Sequence, residues 1–290
     1  MKKIIVPTDF SKQAEFALDM AYEVAVKAQA EIILMHVIES GSKQSTFLGS
    51  SALPEAEPFS TGIDVDDIYF IQLFKRRKQQ MAEVLEDPKY RDIRIVDKIM
   101  LGTPYHSIVE EITSSEADFI IMGTTGVNDW EESLIGSTAE KVVRHARCPV
   151  LTLRQPIHIG DIRQIAYASD FRTVDAEVAS TVRNLQHFFS ARLHLVYVNT
   201  PSHFQNQREI NLTMDEFAKT GGFVNYETHV YCHKQEDQGI MWFTEDYGIN
   251  LIVMATEGRK GLMRLFEHSI AEDVVNFSKK PVVTFNLGKD

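Results

Sequence analysis

Phe119-Ile120-Ile121-Met122-Gly123-Thr124-Thr125-Gly126, followed ten residues later by Gly136-Ser137-Thr138-Ala139-Glu140, is the stretch that decides the fold. An apolar run that stops at a glycine reads as a buried strand, and Gly-Ser-x-x-Glu reads as a helix start. A strand end facing a helix N-terminus is anion-binding geometry. Glycines let a backbone approach a ligand closely, and the unpaired N–H groups of a helix's first turn point at the anion.

Working outward, Lys2 to Pro7 is a short β-branched segment that reads as a buried strand. Ser11 is an expected N-cap for a helix whose apolar positions Ala14, Ala17, Leu18, Ala21, Val24, Ala25 and Ala28 recur at three and four residues. Glu31 to Ile38 is a second apolar strand. Strands without polar alternation imply a parallel sheet covered on both faces. The pattern continues with a helix over Asp66 to Asp87, a strand over Arg91 to Met100, a helix started by Thr103-Pro104, a strand over Asp118 to Met122, a helix from Ser137 to Ala146 and a fifth strand over Pro149 to Leu153. Between them, residues 39–65 turn to Gly, Ser, Thr, Pro and Glu, which reads either as surface filler or as a cover over a site.

The second half repeats the first. Arg163 to Phe171 matches Lys2 to Phe10 at an offset of 161, and Ile252 to Gly258 matches the glycine loop at an offset of 132. The 29-residue difference is about the size of the 39–65 insertion. Ser137-Thr138-Ala139-Glu140 recurs as Ser269-Ile270-Ala271-Glu272, and Cys148-Pro149-Val150 as Lys280-Pro281-Val282. The expected organisation is a first domain over 1–154 with its insertion, a linker over 155–162 and a second domain over 163–290.

The spacing Gly-x2-Gly-x9-Gly-Ser, together with Pro7-Thr8-Asp9 after the opening strand and His36-Val37 at the end of the next, resembles the ATP-binding signature of the universal stress protein family. The resemblance covers nearly the whole chain. It implies two tandem five-stranded parallel-sheet domains of the adenine nucleotide alpha hydrolase-like, Rossmann-like kind. It also implies that their fifth strands, Val150–Leu153 and Val282–Phe285, pair as an internal pseudo-dimer, with a homodimer of whole chains as a further option. The implied role is a stress-response regulator without enzymatic activity.

By the same resemblance, Pro7 and Thr8 stand on the rim of a site for ATP, and Asp9 and Val37 contact its adenine and ribose end. Met122 packs on base or ribose, Gly123 and Gly126 admit ribose and phosphates, and Gly136, Ser137 and Thr138 hold phosphate oxygens. The loop departs from the family where it reads Val127-Asn128-Asp129-Trp130-Glu131-Glu132-Ser133. Three carboxylates beside a polyphosphate require a shared divalent cation such as Mg2+, or side chains turned away. The second half keeps Asp170, Gly258 and Ser269 as weaker candidates but has Ala255 and His268 in place of two glycines. His268 either fills that pocket or, protonated, binds an anion.

Two plainer readings stand beside these. Ser137-x-x-Glu140 and Ser269-x-x-Glu272 are also capping boxes, and Asp9 and Asp170 could cap the helices that follow them. Rival functions are a slow ATPase or adenylyl-transfer enzyme, and a protein-interaction scaffold without nucleotide. No hydrolase or P-loop motif is present to favour an enzyme.

The bulk numbers set outer limits. At 290 residues, 44% hydrophobic and a net charge of -11, the chain has the composition of two globular domains and lacks the basic footprint of nucleic-acid or membrane binding. No stretch has the length of a spanning helix or a signal peptide, so the expected location is cytoplasmic. The two cysteines, Cys148 and Cys232, have no ligand spacing. On a strand over Phe223 to Cys232, Cys232 faces away from His229 and His233, which lie about 13 Å apart at ~3.3 Å per residue, so no metal is assigned. Lys75-Arg76-Arg77-Lys78 reads as a solvated helix face.

Overall fold

The computed structural model describes residues 1–39, 65–124, 137–172, 174–256 and 270–286, without the side chains of 65–68 and 137. Gly126, Gly136, Gly258, His268, Ser269, the acidic loop and the 40–64 insertion therefore lie outside the described residues.

The first half runs β1 (Lys3–Pro7), α1 (Lys12–Ala28), β2 (Glu31–Glu39), α2 (Val65–Leu85), β3 (Ile95–Gly102), α3 (Pro104–Ser115), β4 (Phe119–Gly123), α4 (Ser137–His145) and β5 (Val150–Leu153). The second repeats it as β6 (Gln164–Ala168), α5 (Ala176–Phe189), β7 (Arg192–Asn199), α6 (Gln207–Gly221), β8 (Tyr226–Cys232), α7 (Glu236–Asp246), β9 (Leu251–Thr256), α8 (Ile270–Phe277) and β10 (Val282–Asn286). All ten strands form one sheet, in the order β3-β2-β1-β4-β5-β10-β9-β6-β7-β8. Every pairing is parallel except the central one. There β5 and β10 run antiparallel, with Val283 opposite Leu151.

Period-two alternation sorts each strand's side chains onto two cores. Ile4 and Val6 of β1 and Ile32 and Leu34 of β2 join α1, α2, α5 and α6 on one face. Ile5 and Ile33 join α3, α4, α7 and α8 on the other. Both faces are covered, as uninterrupted apolar strands require.

Local signals place the helix ends. Ser11 Oγ accepts from the Ala14 N–H at the start of α1, and Asp175 Oδ1 accepts from Glu177 and Val178 at the start of α5. Asp9 and Asp170 therefore do not cap these helices. Each instead accepts from the N–H two residues on, at Ser11 and Arg172 respectively. The third strand starts later than the apolar pattern suggests. Asp87-Pro88 opens a 3₁₀ turn over Pro88–Tyr90, which buries the Tyr90 ring and lets its hydroxyl donate to Asp19 Oδ1 at 2.6 Å. The strand before Cys232 likewise begins at Tyr226 rather than Phe223, because Phe223 turns into the aromatic core against Phe217.

Polar contacts lock the two halves together beyond the β5–β10 seam. Arg144 of α4 donates through Nε and Nη2 to the two carboxylate oxygens of Glu272 on α8, both at 2.7 Å, and Glu272 is only 4% exposed. The glutamate of the second Ser-x-x-Glu motif is thus spent on its partner half. Between the halves, Glu23 of α1 accepts from the Ile159 N–H and pairs with His158, both at 2.7 Å, which ties the connecting segment down.

Candidate functional site

In an open parallel sheet, ligands bind beyond the carboxyl ends of the strands where the order reverses. In the first half that point lies between β1 and β4, because β2 and β3 extend to one side and β5 to the other. Pro7 ends β1 there, with Thr8 and Asp9 just beyond it, and Met122 and Gly123 end β4.

The turn after β1 is built tightly. The Thr8 N–H donates to the Met35 carbonyl at 2.8 Å, Thr8 Oγ1 accepts from the Phe10 N–H at 3.0 Å, and Asp9 Oδ1 accepts from the Ser11 N–H at 2.9 Å. Together these hold Phe10 at φ 65, a conformation a bulky side chain rarely adopts. Asp9 is exposed, and its Oδ2 has no partner among the described residues.

His36 anchors the turn from β2. Its Nδ1 lies 2.7 Å from the Thr8 carbonyl, which can only accept, so Nδ1 carries the proton. Burial pushes the imidazole below its ordinary value despite that bond, so it is neutral at pH 7. The Phe10 ring packs 4.7 Å from the His36 ring, and the Arg77 guanidinium of α2 lies 5.7 Å from the Phe10 centroid. The basic run at 75–78 is therefore not uniform. Lys75, Arg76 and Lys78 are exposed, whereas Arg77 is half-buried and brings its charge to the crevice. Periodicity along α2 does not reveal this, since the contact is set by how α2 packs against β3 at the edge of the sheet.

Gly123 has a packing reason of its own. A Cβ there would lie 2.2 Å from the Gln13 carbonyl oxygen of α1. Its counterpart by the 132 offset is Ala255. In the second copy the helix cap, Asp175, comes three residues later than Ser11 after the shared strand offset of 161.

Of the other expected residues, Val37 is half-buried, Met122 is buried at 5% exposure and Thr138 is half-buried at the start of α4. The structure thus gathers Pro7, Thr8, Asp9, Met122 and Gly123 at the ends of two adjacent strands, with Val37 on the neighbouring strand. The second half copies the turn closely. Ser169 Oγ accepts from Phe171, which sits at φ 53, and Asp170 Oδ1 accepts from Arg172. There Asp170 also pairs with Arg172 at 3.5 Å, Tyr197 replaces His36, and Phe171 is fully buried against Tyr167 and Phe217.

Strand order, reversal point and internal repeat define a doubly wound α/β protein made of two nucleotide-fold units. The comparison with known families narrows this. The model of the universal stress protein family matches residues 1–154 and again 162–286, so the chain belongs to that family, with two copies of its domain. Over 156 residues, 53% of this chain and 83% of the relative, it is 32% identical to a universal stress protein of Methanocaldococcus jannaschii. Over 154 residues it is 29% identical to another from that organism, covering 95% of it. The crystal structure of a universal stress protein from Archaeoglobus fulgidus DSM 4304 is similar in fold at TM-score 0.74, with 99% of this chain and 98% of that one covered at 19% identity. Among the described residues no helix is long and apolar enough to cross a membrane.

Proposed function

We propose that this universal stress protein is a regulator that binds one adenine nucleotide, ATP in the first instance, in the crevice between β1 and β4 of its first half. The observation that supports this most is the β1 turn. A strained Phe10 and a buried neutral His36 hold Asp9 out at the reversal point, with one carboxylate oxygen unpartnered among the described residues. Such an oxygen suits an N–H or hydroxyl donor on the base or ribose.

In this reading Pro7, Thr8, Asp9 and Val37 take the base and ribose, and Met122 packs beneath. The phosphates run towards Gly126, Gly136, Ser137 and Thr138, with Mg2+ between them and the acidic loop. Arg77 adds positive charge at the mouth, and α4 offers its N-terminus to the phosphate oxygens. The second half is the weaker site, because Ala255 and His268 stand in place of two glycines, and Arg172 lies 3.5 Å from Asp170 at the surface. Binding regulates only as far as it favours one conformation or partner-bound state over another.

Equilibrium dialysis of the full chain against labelled ATP, with and without Mg2+, tests the proposal. Uptake without product, abolished by Gly136→Trp, is the expected result. Release of ADP or pyrophosphate would favour the enzyme instead, and no uptake would favour the scaffold.

A further inference from the structure

The second half brings together three side chains far apart in sequence. His194 on β7 lies opposite Glu227 on β8 in the strand register, and His229 follows two residues later on the same face. His194 Nδ1 lies 3.0 Å from His229 Nε2. Glu227 Oε2 lies 3.7 Å from the first nitrogen and 3.5 Å from the second. A point in their plane equidistant from all three atoms is about 2.0 Å from each. Zinc takes imidazole nitrogen and carboxylate oxygen at about 2.0–2.2 Å.

We propose that His194 Nδ1, His229 Nε2 and Glu227 Oε2 form a binding site for a divalent metal ion of the zinc class. Neighbouring groups already set the three ligands as such a site needs. Gln164 Oε1 accepts from His194 Nε2–H at 2.8 Å, which puts that ring's only proton on Nε2 and leaves the Nδ1 lone pair pointing into the cluster. Arg192 holds Glu227 through Oε1, leaving Oε2 for the histidines. Phe243, fully buried, and the Tyr247 ring, 4.7 Å from His229, wall the inner side. The half-exposed Glu227 gives a path in and leaves a fourth position to water.

Burial and the facing ring push His194 down to about 4, and burial lowers His229. Both rings are therefore neutral at pH 7. Without metal, His229 Nε2–H donates to His194 Nδ1. Metal entry moves that proton to His229 Nδ1, so the ring stays neutral and no base is consumed.

The donor set chooses the metal. Arg192 offsets the Glu227 charge, so the site holds its ion by imidazole rather than by accumulated carboxylate. That disfavours Mg2+ and Ca2+ and favours Zn2+, or Co2+ as its spectroscopic stand-in. The signal was hidden in sequence because 35 residues separate His194 from His229. Only strand pairing joins them.

The test is titration of the chelator-stripped full chain with Co2+ and, by competition, Zn2+. The expected result is a single equivalent taken up with the visible absorption of four-coordinate cobalt, and a melting temperature raised by Zn2+. Glu227→Gln should weaken uptake more than about tenfold, and His229→Gln should abolish it together with the thermal shift. No uptake, or uptake unchanged by both variants, overturns the proposal. Should His229→Gln fail to fold, Glu227→Gln decides alone, since its carboxylate is 41% exposed, and unchanged affinity there overturns the site.

Discussion

A methyl group at position 123 would sit 2.2 Å from the Gln13 carbonyl oxygen and 2.8 Å from the Ala14 nitrogen. Neither atom can yield without moving the first turn of α1. Gly123→Ala should therefore cost about 1–3 kcal/mol in urea unfolding, and an unchanged midpoint would show that α1 shifts freely. By the family resemblance Gly123 admits a ligand's ribose and phosphates, whereas the close approach the structure shows there is by the backbone of α1. A second residue-scale effect concerns acid. His194 titrates near 4 when folded and near 6.5 when unfolded, so below pH 6.5 the unfolded chain takes up a proton that the native chain refuses. Stability from this group is present above pH 6.5 and lost as pH falls towards 4, on the order of 2 kcal/mol. Comparing unfolding at pH 7 and pH 4.5 for the wild type and His194→Gln checks this. The wild type should lose more, and equal losses would contradict it.

At the scale of elements, strands and helix starts were legible because burial on both faces writes an uninterrupted apolar run and because Ser11 caps α1 as its chemistry predicts. Boundaries shifted where a side chain found a tertiary partner, as Tyr90 did with Asp19 and Phe223 with Phe217. Asp9 and Asp170 read either as nucleotide contacts or as caps of the helices that follow, and the structure removes the cap reading, because each accepts from the N–H two residues on. Arg77 was hidden because a basic run on a helix does not say which member faces the sheet. The contact between α4 and α8 makes its own prediction. Arg144→Ala strips the partner from a carboxylate that is 4% exposed, leaving Glu272 buried and alone. A loss of about 1–3 kcal/mol is expected, largely recovered by adding Glu272→Leu. A single variant as stable as the wild type would show the pair to be incidental.

For the whole molecule, the internal repeat is the most informative feature, since two offsets in the sequence imply a second unit built like the first, while the pairing of β5 with β10 is implied by the family resemblance and is antiparallel in the structure. The same repeat shows where the copies part. The turn after the opening strand survives in both, yet Asp170 pairs with Arg172 while Asp9 leaves an oxygen unpartnered among the described residues. That difference permits a controlled measurement, because Asp9→Ala and Asp170→Ala remove the same backbone-holding bond and should perturb folding alike. Calorimetric titration of the wild type and both variants with ATP and Mg2+ tests the account most directly. It predicts a stoichiometry of one nucleotide per chain, kept in Asp170→Ala and weakened at least about tenfold in Asp9→Ala. Two nucleotides per chain, or binding lost in Asp170→Ala and kept in Asp9→Ala, would contradict it.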